Sequence, residues 1–288
     1  MNISNNKVSI IINTHNGAHF IKNCLISCLS QTHQNIEIIV FDNCSNDETE
    51  KNVKEFKTNS IKYIKSKKIL NLYDARNLAL TYVTGEFFCF LDVDDEYLKD
   101  KIQCHLEYHE KNECLISYSN LYLVKNFNKK KIHYKKNQKT GFIFKELLKK
   151  YDICFNSIIF SNKILTNIKF DSNLNILGDF ELILNLSQKY KFHYINKPLS
   201  IYNNHEDNFS NKNQDLHYKE MRYWLIKKKN YKIKKKYKKI ILEEYLFLKK
   251  KKIVGEYNIF NFIIFLFKEK KNKTLIKLIH YYFNRIFL

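Results

Sequence analysis

Three aspartates, Asp92, Asp94 and Asp95, stand within four positions of "GEFFCFLDVDDEYL" (Gly85–Leu98), directly after the apolar run from Phe87 to Leu91. Like charges crowded at a strand end cost stability unless a cation, an arginine or water compensates them. Hard divalent cations take oxygen ligands and keep several waters, so one or two carboxylates suffice to hold one. An acidic N-cap for a helix starting near Tyr97 is the simpler alternative, and it accounts for one aspartate rather than three.

The elements that must position this cluster follow from hydrophobic period. "KVSIIIN" (7–13), "IEIIVFD" (36–42), "IKYIKS" (61–66) and "EFFCFLD" (86–92) read as strands. Between them, "AHFIKNCLISCLSQ", "SNDETEKNVKEFK" and "YDARNLALTYV" carry helical spacing. Ser45 and Glu48 form a capping-box signature for the second helix, and Gly85 suits a left-handed C-cap for the third. Strand–helix alternation predicts an α/β fold whose mostly parallel sheet is flanked by helices. Ligands of such sheets bind beyond the strand C-termini. The polar clusters "NTHN", "DNCSND" and "DVDD" all fall there, which marks a site. From Cys114 onward the pattern becomes α+β, with extended segments at 114–124, 130–134, 152–161 and 192–202 and helices at 141–150 and 178–190.

Composition narrows the class. The chain has 288 residues and no apolar run near the ~20 that span a bilayer. The N-terminus lacks a leader pattern, so a cytoplasmic address is expected. Seven scattered cysteines without a CxxC pair predict reduced thiols rather than zinc ligands or disulfides. Residues 219–288 hold 21 Lys/Arg against 5 Asp/Glu, whereas 1–218 hold 29 against 24. A nearly balanced body therefore carries a basic tail.

The ordered set "VSIIINTHN … IIVFDNCSNDET … ARN … FLDVDDEYL … GDFELILNL … IYNNHEDNFS" resembles family 2 glycosyltransferases, over about residues 7–210. The resemblance implies a GT-A (Rossmann-like) fold and an inverting transfer from a nucleotide-sugar, of a hexosyl or N-acetylhexosaminyl group. It divides the chain into a domain over 1–215, with a nucleotide-binding half (1–112) and an acceptor half (113–215), and a basic helical extension over 216–288. By the same resemblance, Asp94 is the direct ligand of Mn²⁺ or Mg²⁺. Asp92 lies near ribose and metal, Asp95 supports the cluster, and Val93 lies in the same motif against the donor. Asp42 is expected to contact a uracil or ribose. Thr14, His15 and Asn16 line that pocket, and Arg76 offsets the aspartates or reaches the nucleotide. Asp179 is the expected general base, with Glu181 following on its helix, while His205 and Asn208 close the site.

Several positions depart from the family pattern. Asn13 and His15 stand for a Pro and a Tyr, Asn43 and Cys44 for the second acid and a Gly, and Gly178 for the first acid of an acidic pair. These departures keep a second reading open, a non-catalytic relative that binds lipid or partners. The expected donor is a UDP-sugar and the expected acceptor a glycan or lipid-linked sugar. The Lys-rich, aromatic tail suits an anionic membrane surface at the inner face of the cell membrane, or a solvated helix. Nucleic acid is not an expected partner, since no such motif accompanies the charge and the acidic site repels phosphate without metal.

Overall fold

The computed structural model describes residues 5–126 and 129–227. Strands β1 (Val8–Thr14), β2 (Ile36–Asp42), β3 (Ile61–Lys65) and β4 (Phe87–Phe90) alternate with helices α1 (Ile21–Leu29), α2 (Thr49–Lys54) and α3 (Leu72–Leu80). Then come β5 (Glu96–Tyr97), α4 (Lys101–Asn112), β6 (Ile116–Lys125), β7 (Lys129–Ile132) and α5 (Phe144–Lys149). The unit closes with β8 (Ile158–Ser161), α6 (Gly178–Lys189), β9 (Phe192–Asn204) and the single turn α7 (Phe209–Lys212).

Among the described residues the strands form one sheet in the order β3-β2-β1-β4-β8-β6-β9-β5, with β7 paired to β6. The β3-β2-β1-β4 part is parallel, as the alternation predicted. Beyond it the sheet is mixed: β8 runs antiparallel to both β4 and β6, while β9 returns parallel to β6. Apolar runs without polar alternation made the first strands, because both of their faces are covered. Ile10, Ile12, Ile38 and Val40 pack with Ile21, Cys24, Leu25 and Cys28 of α1, all fully buried. Each such side chain stabilises the fold by about 1.5–3 kcal/mol, so the floor beneath the strand ends is rigid.

Four local expectations give way. The helix after β4 starts at Lys101, not near Tyr97, because Glu96–Tyr97 is drawn into a short strand antiparallel to β9. Ser45 caps no helix: its hydroxyl accepts from the Asn16 N–H (2.8 Å), and α2 begins only at Thr49. Gly85 is not a left-handed cap. A Cβ there would lie 2.6 Å from the Lys7 carbonyl oxygen and 2.9 Å from the Ser9 nitrogen, so glycine lets the chain pass close to β1. The sheet as a whole is mixed rather than mostly parallel.

All seven cysteines are free thiols, four of them buried. A second compact unit begins at Asn213 and contains α8 (Gln214–Lys227). The rest of the expected basic extension, 228–288, lies outside the described residues. No helix among the described residues is long and apolar enough to cross a membrane.

Candidate active site

A cleft of about 790 Å³ opens over the C-terminal ends of β1 and β4. Its walls include His15, Asn16, Arg76, Asp92, Val93, Asp94, Asp179, His205 and Asn208. Most of the side chains singled out in the sequence therefore meet in one place, although 87 residues separate Asp92 from Asp179.

The three aspartates take different positions. Asp92 keeps 42% of its side chain exposed and bonds Arg76 Nη2 through Oδ1 at 2.6 Å. Asp94 accepts from Asn208 Nδ2 (2.8 Å) and has His205 Nε2 at 3.1 Å, both on Oδ2. Asp95 is buried, and both its oxygens are taken: Oδ1 by the Asn203 N–H (2.9 Å) and Oδ2 by Asn156 Nδ2 (2.7 Å). Asp95 thus braces the loop from behind, and it borders the cleft beside Asp94. Burial, then mutual repulsion, pushes the Asp94 and Asp95 carboxyls above their ordinary range.

Arg76 is the hub. Its guanidinium, 3% exposed, bonds Asp92 through Nη2 and Asp179 through Nη1. The rings of Tyr73, Phe90, Phe155 and Phe170 surround it, with centroids 5.2–5.8 Å away. Burial opposes the charge, but Asp179 and Asp92 outweigh it, and the guanidinium stays firmly protonated. Arg76 offsets the aspartates, one of its two expected roles, and it forms part of the cleft wall.

Asp179 sits in the first turn of α6, where the helix dipole favours a carboxylate. Burial pushes its carboxyl up to about 6, against the pull of Arg76 and with repulsion from Asp92. Gly178 has a packing reason: a Cβ there would meet the Tyr73 ring at 2.4 Å. Tyr73 occupies the space of a preceding acid, and its hydroxyl accepts the Asp179 N–H (3.2 Å) while donating to the Ile176 carbonyl (2.9 Å). Arg76 and Tyr73 together orient Asp179. Glu181 is buried on the same helix and lies outside the cleft lining.

The loops after β1 and β2 are stitched together. His15 Nδ1 lies 2.9 Å from the Asn43 carbonyl oxygen, and Asn16, at φ 52°, accepts the Asn46 N–H (3.0 Å). His15 and Asn16 line the cleft as expected, but Thr14 and Asp42 do not. Asp42 is fully buried, with the Ser45 N–H on Oδ1 (2.8 Å) and the Tyr63 hydroxyl donating to Oδ2. Those bonds hold the loop. Thr14 is 3% exposed beneath Gly17.

Sequence reasoning did not single out Tyr73, Asn156, Asn203 or Phe20, which stacks on His205 at 5.2 Å. The "NN" ahead of His205 was a usable signal, since amides beside an acidic cluster are natural donors to it. Nothing near Asn156 marked it.

The sequence model of Glycosyl transferase family 2 matches residues 9–167. The chain belongs to this family. Among its curated relatives, two β-1,3-glucosyltransferases of Escherichia coli, WfaP and WfgD, both described as acting on α-D-GlcNAc-diphosphoundecaprenol with UDP-Glc, are 38% and 35% identical over 120 and 119 residues. The matched parts cover 42% and 41% of this chain and 48% and 47% of theirs, so the chain spans about half the length of the curated relatives it matches. S. aureus TarS 1–349 in complex with UDP superposes with a TM-score of 0.66 at 19% identity, over 90% of this chain and 78% of that one. That likeness shows the GT-A fold. A mannosyltransferase from Pyrobaculum calidifontis, solved with GDP-Man and Mn²⁺, superposes with a TM-score of 0.53 at 14% identity, over 76% of this chain and 61% of that one.

Proposed function

We propose that this chain is an inverting, cation-dependent glycosyltransferase that moves a sugar from a UDP-sugar to a hydroxyl of a lipid-linked glycan, in the assembly of a cell-surface polysaccharide. One observation carries the proposal: a caged guanidinium bridges a donor-side carboxylate, Asp92, and an acceptor-side one, Asp179, across a single cleft. The donor class follows the UDP and UDP-GlcNAc complexes of TarS, and the acceptor class follows the two E. coli relatives.

The donor set fits a hard cation. Asp92 and Asp94 bring carboxylates whose charge Arg76 only partly offsets, and burial, then repulsion from Asp92, raises the Asp94 carboxyl. Among the described residues no three His, Cys, Asp or Glu side chains enclose a cation by themselves. Two protein carboxylates with diphosphate oxygens and water complete such a shell. Bound there, a cation offsets the negative charge that grows on the departing diphosphate. Asp94 and Asp92 would hold it, while Asp95, Asn203 and Asn208 keep Asp94 in place.

Asp179 takes the proton of the acceptor hydroxyl as that oxygen attacks the anomeric carbon. The new glycosidic bond forms on the face opposite the leaving group, the bond from the anomeric carbon to the β-phosphate oxygen breaks, and UDP leaves with its electron pair. Arg76 and Tyr73 hold Asp179 in position throughout. The basic C-terminal extension, most of it beyond the described residues, would rest on an anionic membrane at the cytoplasmic face and bring the site to a lipid-linked acceptor.

Thermal denaturation against UDP, GDP, CMP and dTDP, each with Mn²⁺ and with EDTA, tests the proposal. Ligand at 100 times Kd adds about 2.7 kcal/mol, so UDP with Mn²⁺ should raise the melting temperature and UDP with EDTA should not. A shift with a different nucleotide would change the donor. No shift with any nucleotide would favour the non-catalytic reading, which the unexposed Asp42 already makes worth testing.

A further inference from the structure

Ten lysines and a single acid, Glu146, occupy residues 125–150, and the first of them lie on the ribbon formed by β6 and β7. Register places Lys125 opposite Lys129, Val124 opposite Lys130, Leu123 opposite Lys131 and Tyr122 opposite Ile132. Like charges directly opposite on one face of a strand pair are destabilising. Elsewhere on this unit exposed lysines often meet carboxylates, as Lys22 does Glu55, Lys54 does Glu50 and Lys212 does Asp207. Among the described residues no carboxylate pairs with Lys125, Lys129, Lys130 or Lys131, and all four are exposed. The Lys130 ammonium instead lies 4.2 Å from the centre of the Tyr122 ring. The ribbon thus keeps a repulsive, uncompensated charge that an anion would relieve.

Its location says which anion. Strand β6 runs beside β9 with Val124 opposite Asn203 and Lys125 opposite Asn204, and the Asn126 N–H donates to the Asn204 carbonyl (2.9 Å). Asn203 in turn donates to the Asp94 carbonyl (2.7 Å). Lys125 therefore lies one strand spacing, ~4.8 Å, from Asn204, the neighbour of Asn203, and Lys129, Lys130 and Lys131 on β7 lie one strand further out. They lie across β4 and β8 from β1–β3, on the acceptor side of the cleft.

We propose that the β6–β7 lysine ribbon binds the phosphate or diphosphate group of the acceptor and holds the acceptor sugar against the cleft. This rests on the glycosyl-transfer reading. The ribbon thus holds the charged end of the acceptor while its sugar lies in the cleft. The competing explanation for a Lys-rich edge strand is protection against edge-to-edge pairing.

The test compares two triple variants with the same change in net charge. One is Lys129→Gln, Lys130→Gln and Lys131→Gln on the ribbon. The other is Lys57→Gln, Lys67→Gln and Lys68→Gln, exposed lysines on the donor side. Geranyl diphosphate is the charged probe and geranyl β-glucoside its neutral counterpart, titrated into the full chain with Mn²⁺ and saturating UDP to fill the donor site. The ribbon triple should weaken geranyl diphosphate at least tenfold and leave the glucoside unchanged, while the donor-side triple should leave both within twofold. Lysine-to-arginine changes at 129–131 should restore the affinity. Equal loss in both triples would replace the ribbon with overall charge and overturn the proposal. Unchanged diphosphate binding with lost binding to phosphatidylglycerol vesicles would make the surface a membrane contact instead. No change with either probe would leave edge protection as the explanation. UDP binding by the unmodified chain is measured separately, so a failure of the donor reading is distinguishable from a failure of the ribbon.

Discussion

The two sides of the cleft solve different problems. The donor side, β1 to β4, contributes charge: Asp92, Asp94 and Asp95 from the loop after β4 and Arg76 from α3. Apart from Asp179, the acceptor side contributes neutral donors to that loop, from Asn156, Asn203 and Asn208, with His205 beside Asp94. The difference teaches how an acidic cluster is held without being neutralised. A lysine or arginine in place of these amides would neutralise the cluster while pinning it. Amide donors fix the position and leave the charge available.

The largest effect should come from Asp179, an acid on the amide side. Asp179→Asn should lower transfer by about a thousandfold, within the range for loss of a general base, while UDP affinity stays within a few fold; initial rates of UDP release with acceptor measure it. Burial pushes this carboxyl up to about 6, and the proposed base works in its deprotonated form. The wild-type kcat/KM should therefore fall tenfold per unit below pH 6 and level off above it, and a flat profile from 5 to 8 would remove Asp179 from the role. Next, Asp94→Asn should weaken UDP about a hundredfold in Mn²⁺, or about 2.7 kcal/mol, with little change in EDTA; calorimetric titration reads both arms. If the variant binds as tightly as wild type, the charge on the donor side is not there for a cation. Removing a pin should cost less. Asn203→Ala deletes the bond to the Asp94 carbonyl and should reduce kcat about tenfold through misplacement, with about 1 kcal/mol lost from stability. A loss as large as that of Asp94→Asn would erase the distinction between charge and restraint.

The smallest prediction concerns Cys44, which has φ 62° where the family pattern carries glycine. Cys44→Gly relieves left-handed strain of about 1–2 kcal/mol, and the greater freedom of the unfolded chain takes part of it back. A gain of about 0.5 kcal/mol in urea denaturation, without change in activity, is expected.

How legible each side was follows the same division. β2 was readable to the residue, Ile36–Asp42, because a strand covered on both faces is a plain apolar run between polar turns. α6 and β9 were also foreseen as elements, but the mixed pairing around β8 was not, since register between distant strands leaves no local trace. At the site, Asp92, Asp94 and Asp179 carry charge at strand and helix ends, a pattern visible in one dimension. Asp42 was visible as an acid at a strand end, but its partner was not, since Tyr63, 21 residues later, donates to one of its oxygens. Asn156 was unreadable for the complementary reason: an amide acquires meaning only when folding brings a carboxylate to it.

The bond between the Asn203 N–H and Asp95 spans 108 residues, and β5, directly after the aspartates, pairs with β9 alone among the described residues. Closing so long a loop is among the late, entropically expensive steps of folding. During synthesis the parallel strands can collapse as soon as they emerge, whereas the aspartate loop stays unbraced until nearly two hundred further positions, counted from β1, have left the ribosome. A nascent chain halted before β9 would present the carboxylates without their scaffold, so an ordered aspartate loop reports that the whole unit has been made.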